Sequence, residues 1–265
     1  MTFKNTVRID ELNWMDYAKR VREHNPVVFL PIGALEQHGP HLPMNCDEVI
    51  PREISEEVAR NVSGLVAPSL FYGYKSQPRT GGGNHFPGTT SLSAEAMIAS
   101  VRDVIEDFAR HGVRRIVLMD GHSENTMFII EGIDLALREL LRDGVKDMKI
   151  LRIGYYEVTS AETEKVVWPD GFPSWPLEHA GVMETSVMLY CHPELVDMSK
   201  LATDVPARFP PYDVYPVSFE NLPTLPRSGA LNSAKLATAE KGKLMFDEYV
   251  LRITEAVTDE FGLHR

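Results

Sequence analysis

The sequence is poor in cysteine and has no long apolar segment, and each shortage excludes a class of protein. Cys46 and Cys191 are the only cysteines among 265 residues and do not form a C-x-x-C pair, so we expect no disulfide framework. No run approaches the roughly 18 apolar residues of a membrane-spanning helix, and the first residues lack the apolar core of a secretion signal. We therefore expect a cytoplasmic protein with no membrane partner.

The sequence also lacks any block of positive charge. It contains 27 Lys and Arg against 38 Asp and Glu, which gives a formal net charge of −11. A nucleic-acid partner would require a basic patch, so none is predicted. A hydrophobic content of 43% over this length is enough to bury one large core, and we expect a single domain over residues 1–265.

Apolar runs bounded by Pro, Gly and Asn predict four strands, at residues 27–33, 65–70, 115–119 and 148–153. Amphipathic periodicity predicts helices at about 10–24, 48–61, 93–110, 125–141 and 233–261. Alternating strands and helices indicate an α/β fold with a central, mainly parallel sheet flanked by helices. Ligands of such sheets bind beyond the carboxyl ends of the strands.

Metal-binding residue types follow the first strand. Glu36 and His38 are two residues apart, so in extended backbone their side chains point the same way, and the Gly39-Pro40 break lets the chain return with Asp47. Imidazole and carboxylate together suit Zn, Mn, Fe or Ni. The alternative is a polar loop that merely caps a strand.

The third strand ends in a similar way. Asp120-Gly121 is followed by His122 and Glu124, again two residues apart, where a helix begins. A second pairing of His with Glu at a strand end favours a metal site over polar surface residues without a function.

Two further loops contain chemically active or aromatic residues. The glycine-rich segment 71–90 lacks the context of a phosphate-binding motif, so we interpret it as a loop whose backbone approaches a small ligand. The segment 169–181 places Trp175, Glu178 and His179 ahead of a helix containing Glu184. Residues 203–229 are rich in Pro and aromatics, which favours an ordered surface arm or a subunit contact over a linker.

Six sequence motifs resemble those of the creatininase (creatinine amidohydrolase) family, and the resemblance extends over nearly the whole chain. They are Pro31-Ile-Gly-Ala-Leu-Glu-Gln-His-Gly39, Tyr72-Gly-Tyr-Lys-Ser-Gln77, Gly81-Gly-Gly-Asn-His-Phe-Pro-Gly-Thr-Thr-Ser-Leu92, Asp120-Gly-His-Ser-Glu-Asn125, Glu131-Gly-Ile-Asp-Leu-Ala-Leu-Arg-Glu-Leu140 and Glu178-His-Ala-Gly-Val-Met-Glu-Thr-Ser186. The resemblance implies a three-layer α/β fold, a homohexamer and a binuclear site for two divalent cations, Zn and/or Mn.

The resemblance also implies roles for individual residues. Glu36 and His122 would hold one ion, His38 and Glu124 the other, and Asp47 would bridge them. Glu184 would be a further ligand or a neighbour of the ligands. The implied reaction opens a small cyclic amide, creatinine to creatine, by attack of a metal-bridging hydroxide. His179 would transfer the proton to the leaving nitrogen, and Glu178 and Glu124 would complete the catalytic group.

The chain departs from the family pattern where the substrate binds. Tyr156 stands where creatininase has a tryptophan, Ser123 where it has a tyrosine, Pro176 where it has an aspartate after the tryptophan matching Trp175, and Thr80 where it has a serine. Losing an acidic group and changing two aromatic walls weakens the fit to a flat, partly cationic creatinine ring. The departures favour a sister hydrolase of another small amide, lactam or formamide.

Three hypotheses follow. The first is a creatininase-like cyclic amide hydrolase, and the second is the sister hydrolase. The third is a non-catalytic scaffold with a closed metal site that has no exchangeable water.

Overall fold

The four apolar runs form one parallel sheet in the computed structural model, which describes residues 6–218 and 222–263. The strands are β1 (Val27–Ile32), β2 (Leu65–Val66), β3 (Arg115–Asp120) and β4 (Lys149–Gly154), in the order β2-β1-β3-β4. Ile32 pairs with Asp120, and Asp120 pairs with Gly154, so three strands end side by side. The predicted parallel sheet is confirmed.

Helices cover both faces of the sheet. The α-helices are α1 (Trp14–His24), α2 (Cys46–Val62), α3 (Pro78–Gly81), α4 (Ala94–Arg110), α5 (Thr126–Arg142), α6 (Ala161–Val167), α7 (Val182–Cys191) and α8 (Ala239–Phe261). On β1, Val28 and Leu30 pack with α1, α4 and α5, whereas Phe29 packs with α2, α7 and α8. Successive strand residues face opposite layers, so the predicted three-layer α/β fold is confirmed.

Three predicted boundaries were wrong, two of them because a side chain caps the start of a helix. The first helix begins at Trp14 instead of residue 10, because the Asn13 side chain accepts the amide of Asp16 and caps the helix there. The last helix begins at Ala239, after a cap by Thr238. The second strand stops at Val66; beyond it the Ala67 amide still donates to Phe29, and pairing resumes only as an isolated bridge at Leu70.

The Pro-rich segment 203–229 contains no helix or strand among its described residues. The side chains of Tyr212 and Tyr215 are exposed, whereas Phe219, another of the aromatics predicted to mark an ordered arm, lies outside the described residues. In the described part of the chain, no helix is both long and apolar enough to cross a membrane.

Candidate metal centre and active-site pocket

The carboxyl ends of β1 and β3 bring the two predicted motifs together. Glu36 and His38 lie in the loop after β1, and His122 follows β3, whose last residue is paired with the last residue of β1. Asp47 reaches the same point from the first turn of α2. The sheet edge therefore gathers residues that are up to 86 positions apart in the sequence.

Gly121 allows α2 to approach this edge. A Cβ at Gly121 would lie 2.2 Å from the backbone oxygen of Asp47 and 2.6 Å from Cγ of Pro51. Any side chain there would push the start of α2 away from β3. Glycine thus keeps the Asp47 carboxylate next to the imidazole of His122.

The Asp47 carboxylate lies between two imidazoles. One oxygen, Oδ2, is 3.2 Å from Nδ1 of His122, and the other, Oδ1, is 3.1 Å from Nε2 of His38. On the first side, His122 Nδ1 also lies 3.2 Å from Glu36 Oε2. On the second, His38 Nε2 lies 3.5 Å from Glu184 Oε1. Two groups of donors therefore share Asp47, and a third group joins Glu36 and His38 with His179.

The position of Glu124 differs from the implied pairing with His38. Its Oε2 atom lies 3.6 Å from His122 Nδ1, on the side of the centre that contains Glu36. The carboxylates beside His38 are Asp47 and Glu184. Glu184 comes close because it lies in the first turn of α7, whose start packs against the loop containing His179.

The donor set fits two divalent cations. Glu36 Oε1, His38 Nε2 and Asp47 Oδ2 are buried without a hydrogen-bond partner among the described residues, which is costly unless something else satisfies them. Donors about 2.1 Å from a shared tetrahedral ion lie about 3.4 Å apart. The observed separations of 3.1–3.6 Å match this value.

The second ring nitrogen of each histidine contacts a backbone oxygen. His38 Nδ1 lies 3.1 Å from the carbonyl of Glu36, and His122 Nε2 lies 3.1 Å from the carbonyl of Tyr74. A ring that donates to a carbonyl on one side keeps a lone pair on the other. In the neutral form that binds a cation, the lone pair of each ring therefore points into the centre.

The charges of the centre are strongly coupled. Burial raises the pKa of Glu36 to about 7, against the opposing effect of His122. Burial also opposes ionisation of Asp47, but the two imidazoles hold its pKa well below the usual range. Although burial lowers the pKa of His38 and of His122, the facing carboxylates raise both well above the ordinary value. Cations at this position would replace these protons.

A cavity of about 140 Å³ opens from the centre. Its walls include every residue predicted to contact substrate, namely Thr80, Ser123, Tyr156, Trp175 and Pro176. The rings of Tyr156 and Trp175 lie 5.2 Å apart between centroids, and they form an aromatic wall. The carboxylate of Glu124 faces the cavity and is held by the hydroxyls of Thr80 and Ser123 and by the amide of Gln77.

His179 and Glu178 also line the cavity, but they differ in their contacts. The ring of His179 packs 4.3 Å from that of His38, and its Nδ1 lies 4.0 Å from Glu36 Oε2. Burial and the facing His38 lower the pKa of His179 well below its ordinary value.

The Glu178 carboxylate accepts hydrogen bonds from the indole of Trp168 at 2.6 Å and from the amide of Val182 at 3.0 Å. Burial raises the pKa of Glu178 to about 8, although these donors oppose the shift. Its contacts tie the start of α7 to the aromatic wall.

Two residues near the centre were missed as functional candidates. Asp120 accepts hydrogen bonds from Thr126 at 2.8 Å and from the amide of His122 at 3.3 Å, which orients the metal-binding turn. The Gln37 side chain contacts His179. Both residues lie within the motifs that contain the predicted metal ligands. This position in the sequence is the signal that could have identified them.

Nearly the whole chain matches known proteins. Residues 10–257 match a family model described as creatinine amidohydrolase. A creatinine amidohydrolase of Pseudomonas putida is 48% identical over 257 residues, covering 97% of this chain and 98% of the relative. A mycofactocin precursor peptide peptidase of Mycobacterium ulcerans is 29% identical, covering 85% of this chain and 82% of the relative.

Solved structures agree with the sequence matches. A structure described as "Creatininase Mn" has a TM-score of 0.93 at 48% identity, covering 97% of this chain and 99% of that one. A glutamine variant of creatininase described as Zn-Zn type has a TM-score of 0.94 at 47% identity, with the same coverage. A glutamine variant complexed with creatine has a TM-score of 0.93 at 47% identity and again the same coverage.

Proposed function

The chain belongs to the creatininase family, and from this premise we propose that it is a metal-dependent amidohydrolase that opens creatinine to creatine. The family resemblance predicted from the sequence is thereby confirmed. One observation carries the proposal: six side chains able to bind metal, five of them buried, converge beside a small, partly aromatic cavity. Creatininase structures described with Zn-Zn and with Mn support a metal centre in this chain.

We propose a binuclear centre with Asp47 as the shared ligand. Glu36, His122 and Glu124 would hold one ion, and His38 with Glu184 would hold the other; the separations between their donor atoms support this division. The ions, when bound, supply a water of lowered pKa and a Lewis acid for the amide carbonyl.

The side chains of the pocket then act on the substrate. Tyr156 and Trp175 form one wall of the cavity and would pack against a planar ring from that side, which excludes water from it. Glu124, held by Thr80 and Ser123, keeps its carboxylate directed at the reacting amide. His179 offers a ring nitrogen to the same amide, and Glu178 holds the loop that carries His179. A centre that stabilises charge at the amide oxygen lowers the barrier to its hydrolysis.

The choice of substrate is tested by a panel assay. Purified protein loaded with Zn or Mn is incubated with creatinine, hydantoins, small lactams and formamides. We expect creatinine to be hydrolysed with a kcat above about 1 per second. The exposed Glu57→Gln variant should match the unmodified protein. Efficient hydrolysis of another member of the panel, with creatinine untouched, would establish the alternative.

That alternative is a sister hydrolase of a different small amide, lactam or formamide. It is favoured by Ser123, Tyr156 and Pro176, which line the cavity and depart from the family pattern. The relative named as a peptidase shows that amide substrates vary among similar proteins. A fully metal-loaded protein that hydrolyses nothing in the panel would instead favour the scaffold hypothesis.

We further propose that the chain acts as a cytoplasmic homohexamer of single-domain subunits. Support comes from the family membership and from the absence of a membrane-spanning helix among the described residues. Light scattering coupled to size-exclusion chromatography measures the assembly directly, and a monomer would contradict the proposal.

A further inference from the structure

Gln37 lies in the sequence between the two first-motif residues Glu36 and His38, and its side chain contacts other segments of the chain. It is buried, and its carboxamide meets three other segments of the chain. The contacts are with the backbone at Gly81, with the backbone at Gly229 and with the ring of His179. Gln37 therefore joins the glycine-rich loop, the Pro-rich segment and the loop before α7.

The orientation of the carboxamide follows from its backbone partners. The amide N–H of Gly39 donates to Oε1 of Gln37 at 2.9 Å. The Nε2 group donates to the carbonyl of Gly81 at 2.9 Å and to that of Gly229 at 3.0 Å. Exchanging the oxygen and the nitrogen would set an oxygen against two carbonyls and a nitrogen against an N–H.

The space for this carboxamide depends on Gly229. A Cβ there would lie 1.9 Å from Oε1 of Gln37, and the backbone at this position has a φ of +82°. Both the close approach and the left-handed backbone require glycine.

The orientation of Gln37 decides which nitrogen of His179 holds the hydrogen. His179 Nε2 lies 2.9 Å from the Nε2 group of Gln37, whose two hydrogens also face the carbonyls of Gly81 and Gly229, so any hydrogen offered to the ring is shared with one of these carbonyls. The amide nitrogen has no lone pair to accept an N–H of the ring, so in the neutral ring the hydrogen is on Nδ1. That nitrogen faces the metal-binding carboxylates, 4.0 Å from Glu36 Oε2. The backbone of the same residue is held by the amide of Leu231 at 3.1 Å.

We propose that Gln37 is a positioning residue that holds His179 in the tautomer with its only N–H directed into the active-site pocket. The proposal rests on the proposed function and deepens it. In this state His179 donates a hydrogen bond to the amide oxygen of the substrate, where negative charge develops. A neutral ring that already has a hydrogen on Nδ1 accepts no further proton there. His179 then stabilises charge and does not act as a base through that nitrogen.

Neutron diffraction from deuterium-exchanged crystals of the Zn-loaded protein tests the tautomer directly. We expect deuterium on Nδ1 of His179, none on its Nε2, and the ND₂ group of Gln37 facing that ring. Deuterium on Nε2, alone or together with Nδ1, would overturn the proposal. This measurement needs no substrate, so it is separate from any failure of the creatinine assay.

A double-mutant cycle tests whether Gln37 acts through His179. Gln37→Met keeps the side-chain length but removes the donor, and His179→Phe removes the acceptor. Each single change should lower kcat for creatinine by about 100-fold, a typical effect of one positioned acid–base group. The double variant should be no slower than His179→Phe alone. Independent losses that multiply in the double variant would overturn the proposal.

Three controls separate positioning from general damage. Gln37→Met should retain the metal content of the unmodified protein and a KM within about threefold, because the ligands and the pocket walls are unchanged. Gln37→Glu keeps the shape but replaces the donor with an acceptor, and it should lower kcat as Gln37→Met does. Asn61→Leu removes an exposed carboxamide on α2 and should leave kcat unchanged. Full activity in Gln37→Glu, or loss of metal in Gln37→Met, would contradict the proposal.

Discussion

Asp47 determines the arrangement of the centre, because each of its oxygens lies beside a different imidazole. The remaining carboxylates then divide between the two sides according to the element that bears each of them. Glu124 follows β3 and stays with His122, whereas Glu184 begins α7 and lies beside His38. This division makes Glu184 the residue whose removal should affect only one ion.

The Glu184→Gln variant should lose about one of two bound ions. An amide oxygen is a weaker ligand than a carboxylate, and the side containing Glu36 and His122 keeps its full donor set. Elemental analysis of the purified variant checks the result. The exposed Glu57→Gln variant serves as the control and should retain both ions. Full occupancy of Glu184→Gln would show that this carboxylate is not a ligand.

Ion binding should release protons. Without ions, the raised pKa values of His38 and His122 keep both rings protonated at pH 7, whereas a cation binds the neutral ring. We therefore expect up to about two protons released per chain, and an affinity that falls as the pH falls. Titration calorimetry with Zn in buffers of different ionisation enthalpy measures the release. A binding enthalpy independent of the buffer would contradict the expectation.

At the scale of elements, two helices begin at the centre and each supplies a carboxylate from its first turn. Asp47 belongs to α2 and Glu184 to α7. A helix amino terminus is favourable for negative charge, so these acidic groups are stabilised there even before an ion binds. Glu178 contacts α7 differently, since its carboxylate accepts hydrogen bonds from the backbone N–H groups at the start of the helix.

The Glu178→Gln variant should unfold more easily by about 2 kcal/mol. Its NH₂ group would face N–H donors of Trp168 or Val182 and leave a buried donor unsatisfied. Chemical denaturation measures the free energy of unfolding. Glu240→Gln, in the exposed first turn of α8, is the matched control and should change the free energy of unfolding much less. Equal losses in the two variants would show that the buried contacts of Glu178 contribute little.

Some of these elements could be predicted from the sequence and the ends of others could not, for physical reasons. The buried strand β1 and helix α4 could be predicted because hydrophobic periodicity and the Ser93 cap are local signals. The starts of α1 and α8 could not, because amphipathic character extended beyond the residues that cap them. Side-chain caps decide such helix ends, and they compete with periodicity over only a few residues.

At the scale of the whole molecule, the predicted site residues gathered because parallel strands end at one edge. Glu36, His38, His122 and Glu124 could be located from the two strand ends alone. The position of Glu184 beside His38 could not, because it depends on how α7 packs against α2, and the two residues are 146 positions apart in the sequence. Tertiary packing of this kind leaves no pattern in the local sequence.

The same packing couples the stability of the molecule to its ions. Without cations, the buried carboxylates and imidazoles of the centre leave polar atoms unsatisfied between α2, α7 and the sheet edge. An ion at a hundred times its Kd stabilises the folded chain by about 2.7 kcal/mol. We therefore expect a chelator to lower Tm by at least about 5 °C, and Zn or Mn to restore it. Differential scanning calorimetry measures the change. Glu184→Gln should show a smaller shift than Glu57→Gln, because it has one ion fewer to lose, and an identical Tm with and without chelator would rule out ion binding at this centre.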